Sequence, residues 1–280
     1  MKTLKRILAA TTLLVTLGFA SEANAQVPLE NFFKNPEKAG YQISPDGKYF
    51  SYMAPYENRL NLFVQEVGSD KATRITSETV RDLAGSMWAN GHRILYIKDT
   101  AGDENFQLYG VNVDGTDSKA YTAFPKVRTT IIDPLENIDS LVIIGLNKRN
   151  PQVFDPYRLN LNNGELTQLA ENPGNIQGWM TDHNGKLRVA LAIVDGVNTQ
   201  ILYRETEEQP FRPVLTTNFR ETVSFATFTP DNKMVYALTN IGRDKTALVL
   251  MDPATCEEKE VLYTNDKYDI SGLGLSLIHI

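Results

Sequence analysis

One stretch of pattern repeats five times and limits the fold more than any other feature of this chain. It reads turn, β-rich run, polar loop, second β-rich run, turn, short closing strand. Its instances begin at Ile43, Met87, Ile132, Met180 and Phe228, a step of 44 to 48 residues. The opening turns are "SPDGK" (44–48), "NGH" (90–92), "HNGK" (183–186) and "PDNK" (230–233). They place Asp, Asn or Gly where a tight hairpin needs positive φ. The runs that follow, such as "KYFSYM", "RILYIK", "LRVALAIV" and "KMVYAL", are rich in Val, Ile, Tyr and Leu. Those residues suit a pleated, packed surface. A further strand-like segment precedes later units: "AGSMWA", "RTTIID", "IQGWMT", "VSFATFT". That makes four strands per unit.

A four-stranded antiparallel unit of this length, repeated in tandem, is the signature of a β-propeller blade. The fold class expected is all-β: about five complete blades over 41–274, preceded by a lead-in segment, 26–40, with one short helix at about 29–34. Pro28 and Glu30 suit the start of that helix and Gly40 its stop. A helical solenoid is excluded, because no other run keeps a 3.6-residue period over three turns. A β-sandwich is the alternative all-β architecture, but it does not need one unit repeated five times.

The first 25 residues are different in kind. Lys2, Lys5 and Arg6 precede the uncharged run 7–20, and "SEANA" ends in an A-x-A pattern. This predicts a signal peptide cleaved between Ala25 and Gln26, and export to the periplasm or medium. The apolar run is short for a membrane span, so no span is expected after cleavage; an uncleaved anchor is the alternative. Removing Lys2, Lys5, Arg6 and Glu22 takes the net charge from −6 to −8. With no basic stripe in the rest of the chain, nucleic acid is not an expected partner. A single cysteine, Cys256, leaves no internal disulfide.

The chain resembles the N-terminal propeller of the prolyl oligopeptidase family of serine peptidases, in its acylaminoacyl-peptidase and dipeptidyl-aminopeptidase-like branch. The resemblance is carried by "FFKNPEKAGYQISPDGKYFSYMA" (32–54), "GDENFQLYGVNVDG" (102–115) and "FTPDNKMVYALTN" (228–240), and extends from about Pro28 to Gly274. It implies seven blades set over an α/β-hydrolase domain that supplies a Ser-Asp-His triad, with the propeller admitting only short peptides. That domain lies downstream in the family, and no G-x-S-x-G elbow occurs in this chain. The expectation is a C-terminally truncated piece without catalytic residues. Its partners are peptide substrates and its own hydrolase domain. "YDISGL" (268–273) matches the first-strand position of a sixth unit. Residues 275–280, "LSLIHI", read as translated sequencing adapter. Open ends of a partial ring predict poor solubility or self-association. A non-catalytic periplasmic binding scaffold is the alternative function.

No cofactor or metal site is expected. His92 and His183 sit in turns and give no triad or metal spacing; His279 lies in the adapter-like tail. Asn112 to Asp117 carry oxygens around a Gly but lack the later Glu of a calcium loop. Glu207 and Glu208 sit in an outer-strand turn and read as a solvated hairpin; the alternative, implied by the resemblance, is a paired-acid site for a free peptide amino terminus. Trp88 and Trp179 occupy first-strand positions, where large rings pack between sheets. The loop carrying Asp103, Glu104 and Asn105 either contacts the partner domain or substrate, or satisfies only its own backbone.

Overall fold

The computed structural model describes residues 27–274. Ala25, Gln26 and residues 275–280 fall outside it, so the cleavage site and the adapter-like tail are not described. The chain divides into two compact units, one ending at Pro36 and one starting at Glu37. The described part of the first unit holds a 3-10 turn, Leu29–Phe32, closed by Asn31 N donating to Pro28 O and Phe33 N to Glu30 O. The expected helix therefore stays a single turn. Asn35 precedes Pro36, and a residue before proline is steered away from the α region, which stops propagation.

The second unit contains five four-stranded antiparallel sheets, and within each the spatial order follows the sequence. Sheet 1 is β1 (Ala39–Ile43), β2 (Tyr49–Tyr56), β3 (Arg59–Glu66) and β4 (Ala72–Arg74). Sheet 2 is β5 (Gly85–Asn90), β6 (Arg93–Lys98), β7 (Gln107–Asn112) and β8 (Lys119–Ala120). Sheet 3 is β9 (Thr129–Asp133), β10 (Leu141–Asn150), β11 (Val153–Asn160) and β12 (Leu166–Gln168). Sheet 4 is β13 (Ile176–Thr181), β14 (Leu187–Val194), β15 (Asn198–Tyr203) and β16 (Arg212–Thr217). Sheet 5 is β17 (Val223–Phe228), β18 (Val235–Thr239), β19 (Ala247–Met251) and β20 (Glu258–Tyr263). The strand pairs stay within each repeat, as a propeller blade requires. Sheet 1 begins at Ala39, so the lead-in segment gives up its last two residues to β1.

Consecutive sheets stack face to face, and the pleat explains the sequence. On β6, Ile94 and Tyr96 pack with Leu62 and Val64 of sheet 1, while Leu95 packs with Val142 and Ile144 of sheet 3. A sheet covered on both faces must be apolar at successive positions, which is why "RILYIK" shows no strict alternation. Sheet 5 differs. Val235, Ala237 and Val249 are buried against Val189 and Ile201 of sheet 4, whereas Tyr236, Leu238, Leu248 and Leu250 are only half-buried.

A side-chain donor crosses every sheet junction to a backbone carbonyl of the next sheet. Gln42 reaches Ser86 O at 2.8 Å, Tyr121 Oη reaches Leu161 O at 2.8 Å, Arg158 reaches Gly185 O at 2.9 Å, and Arg188 reaches Asn232 O at 2.9 Å. Such bonds fix how far one sheet turns on its neighbour, which apolar contact alone leaves loose.

Candidate functional site

The loop between β6 and β7 is the site that the sequence singles out. It closes around two aspartates. Asp99 is buried and accepts from Arg81 Nε at 3.3 Å, Arg81 Nη2 at 3.4 Å and Glu104 N at 3.3 Å. Asp103 accepts from Thr100 N and Asn105 N with Oδ1, and from Asn105 Nδ2 with Oδ2. The Asn105 amide, its side chain foremost, holds the Asp103 carboxyl below the usual carboxylate range. Ala101 and Glu104 sit at φ 53° and 56°, in the left-handed region that non-glycine residues rarely adopt. The three residues named from sequence therefore separate. Asp103 and Asn105 bond within the loop, and Glu104 is left with an exposed side chain. Asp99 and Arg81, which anchor the loop, had no signal in sequence, since they stand 18 residues apart in different connections.

At the opposite end of the sheets, where first strands turn into second strands, a cavity of about 380 Å³ opens among sheets 3, 4 and 5. Its near wall is the connection between β9 and β10, residues 134–140, longer than the corresponding connection in the other four sheets. Asp133 Oδ1 accepts from Leu135 N at 2.8 Å, and its Oδ2 accepts from the Thr181 hydroxyl. His183 does more than sit in a solvated turn. Its Nε2 lies 2.9 Å from Phe228 O, and its N–H donates to Asn232 Oδ1 across the junction with sheet 5. No hydrogen bond joins the ring of His92 or His183 to a serine or a carboxylate among the described residues, so these residues assemble no charge-relay triad. Nor does any group of three or more His, Cys, Asp or Glu among them have the spacing to hold a metal ion.

Glu207 departs from its sequence reading. It pairs with Arg158 of sheet 3 (Oε1 at 2.7 Å, Oε2 at 2.9 Å) and accepts from Leu187 N at 3.0 Å. Burial pushes its carboxyl up, but the Leu187 N–H and the Arg158 guanidinium outweigh burial and leave it below the usual range. It joins sheets 3 and 4 instead of forming a solvated hairpin. Trp88 is buried between sheets 1 and 2, and Trp179 packs on Phe211 at 5.6 Å. Asp114 caps Thr116 N at 2.9 Å within the 112–117 turn. Among the described residues, no helix is long and apolar enough to cross a membrane.

No family model matches the chain. It is 30% identical over 249 residues to dipeptidyl aminopeptidase BIII of Pseudoxanthomonas mexicana, covering 86% of this chain and 35% of that protein. It is 27% identical over a 287-residue alignment to dipeptidyl peptidase family member 6 of Caenorhabditis elegans, covering 95% of this chain and 38% of that one. The chain thus spans little more than a third of the length of these relatives. Among solved structures, a prolyl endopeptidase superposes with a TM-score of 0.57 at 12% identity, over 81% of this chain and 36% of its own, a likeness of fold.

Proposed function

We propose, from the premise that this chain is a relative of the prolyl oligopeptidase family of serine peptidases over their propeller region, that it is the substrate-gating part of an exported peptidase acting on short peptides. The observation that carries this reading is the dipeptidyl aminopeptidase match, which runs through most of the chain while taking in about a third of that enzyme. Five stacked four-stranded sheets are the architecture that a gating part of such a peptidase needs. Peptide bonds would be cut by a hydrolase module outside this chain, and the propeller would exclude folded proteins by size. The loop of Asp103, Glu104 and Asn105 is tied through Glu104 N to Asp99, which Arg81 also bonds, so in this reading it presents the Glu104 side chain to the hydrolase module or to a peptide.

The test has two arms. The chain alone, given dipeptidyl and aminoacyl chromogenic substrates, is expected to show no turnover sensitive to a serine-directed inhibitor. The chain extended by its downstream coding sequence is expected to show such turnover. Inhibitor-sensitive activity in the chain alone, or a downstream sequence lacking a G-x-S-x-G module, overturns the proposal. Export is tested by sequencing the N-terminus of the mature protein, expected to begin at Gln26.

A further inference from the structure

The cavity among sheets 3, 4 and 5 lies at the end of the sheets away from the 99–105 loop, and neither its shape nor its chemistry depends on the peptidase reading. We propose that it binds a hydrophobic organic cation, with the apolar body in the hollow and the positive nitrogen at Glu136. A volume of about 380 Å³ is within the range of small-molecule sites, roughly 300–1,000 Å³.

The walls are apolar and come from two sides. Pro134, Leu135 and Ile138 form the sheet 3 side; Phe228, Pro230 and Tyr236 form the sheet 5 side. The sheet 3 wall is preformed. Leu135 is buried at φ 53°, held there by its N–H to Asp133, and Ile138 N donates to Leu135 O at 2.7 Å. Gly185 underlies both side chains. A Cβ there would stand 3.1 Å from Leu135 Cδ1 and Ile138 Cδ1 and would press both outward by a few tenths of an ångström, and the backbone takes φ 70°, which favours glycine. A wall so fixed keeps its hollow without a ligand.

Charge selects the ligand. Three carboxylates, Asp133, Glu136 and Asp182, line the cavity, and no Lys or Arg does. Two of the three are already engaged. Asp133 accepts from Leu135 N and Thr181; Asp182 accepts from Asn184 N and Lys186 N and pairs with Arg188 at 3.5 Å. Of the cations nearby, Lys186 reaches Glu207 at 3.7 Å and Lys233 reaches Asp231 at 3.6 Å. Glu136 is exposed at the rim, with no cation in ion-pair range among the described residues. His183 also lines the hollow, but its Nε2 lies 2.9 Å from Phe228 O, and Arg188 is taken up by Asp182. An anion therefore finds no cation left unpaired by a carboxylate, a neutral apolar body gains burial alone, and a cation gains burial and Glu136 together.

The test uses this chain at about pH 6, where an α-amino group is protonated, and three probes that share a phenyl body: phenylalaninamide (cation), N-acetylphenylalaninamide (neutral) and N-acetylphenylalanine (anion), read by saturation-transfer NMR and titration. Phenylalaninamide is expected to bind about fivefold more tightly than the neutral probe, the worth of one exposed ion pair, with the anion weakest. Glu136→Gln should bring the cation to the level of the neutral probe and leave the neutral probe unchanged. Thr227→Trp, which fills the hollow from β17, should abolish binding of both, with circular dichroism checking that the variant is folded. Equal binding of cation and neutral probe, binding that survives Thr227→Trp, or no saturation of any probe at millimolar concentration overturns the proposal. A hydrolase assay of the extended protein is unaffected by this outcome, so the two proposals fail separately.

Discussion

Asp82 and Asp269 make the same bond in two different sheets. Asp82 Oδ1 accepts from Leu60 N at 2.6 Å, at the hairpin between β2 and β3; Asp269 Oδ1 accepts from Thr246 N at 2.8 Å, between β18 and β19. The next residue repeats too, Leu83 N donating to Leu60 O and Ile270 N to Thr246 O. After Asp82 the chain reaches Gly85 and enters β5; after Asp269 it reaches Gly272 with the same Asp-apolar-x-Gly spacing. Residues 268–273 thus approach sheet 5 as 81–86 approach sheet 1. Replacing Asp269 by Ala should speed amide exchange at Thr246, and Asp82→Ala should do the same at Leu60, each costing about 1 kcal/mol for the lost bond. Unchanged protection at both amides would show that neither carboxylate holds its hairpin.

Arg158 and Glu207 join sheets 3 and 4 with side chains that are 19% and 14% exposed. Glu207→Ala leaves a largely buried guanidinium unpaired and is expected to cost about 3 kcal/mol in urea denaturation. The double change Arg158→Met with Glu207→Leu should cost clearly less, because no charge then remains buried. Equal losses in the two proteins would contradict the pairing.

Acid should loosen the turns before the cores. The Ser44 hydroxyl, then Lys48 through its side chain and N–H, hold the Asp46 carboxyl down to about 2. Asp114, bonded by Thr116, and Asp231, bonded by Thr229, are also lowered. A carboxyl lowered in the folded state stabilises above its unfolded pKa and loses that contribution as pH falls through the folded value. The melting temperature should therefore fall between about pH 4 and pH 2. Asp46→Asn should flatten that fall; an identical profile would remove Asp46 from the cause.

Burial, with Asp252 adding to it, pushes the Cys256 thiol up to about 11. At pH 8 iodoacetamide should modify the native chain about a hundredfold more slowly than the urea-unfolded chain, since the thiolate is the nucleophile. The sign for stability follows: the contribution is present below the unfolded thiol pKa and is lost as pH rises through about 11. Equal native and unfolded rates would place the thiol in water.

Turn residues and apolar runs make the blades legible in the sequence alone. "SPDGK" and "HNGK" put glycine at Gly47 and Gly185, both at positive φ, and the strands flank them as expected. The candidate loop was half legible. Its polar run located it, but the division of labour among Asp103, Glu104 and Asn105 depends on Asp99 and Arg81. The role of Glu207 is not legible in sequence, because its partner Arg158 lies 49 residues earlier in another sheet.

What the sequence by itself determined is the sheet: four strands, their order and their turns, each set by backbone sterics and by runs of Val, Ile, Leu and Tyr within about a dozen residues. Only the tertiary structure decided what faces what. The Arg158–Glu207 pair, the cavity bounded by Leu135 and Phe228, and the return of Asp269 to Thr246 all depend on how one twisted sheet seats on the next or on where the chain returns. That seating is fixed by packing across roughly 10 Å between faces, a distance over which neighbours in sequence carry no information.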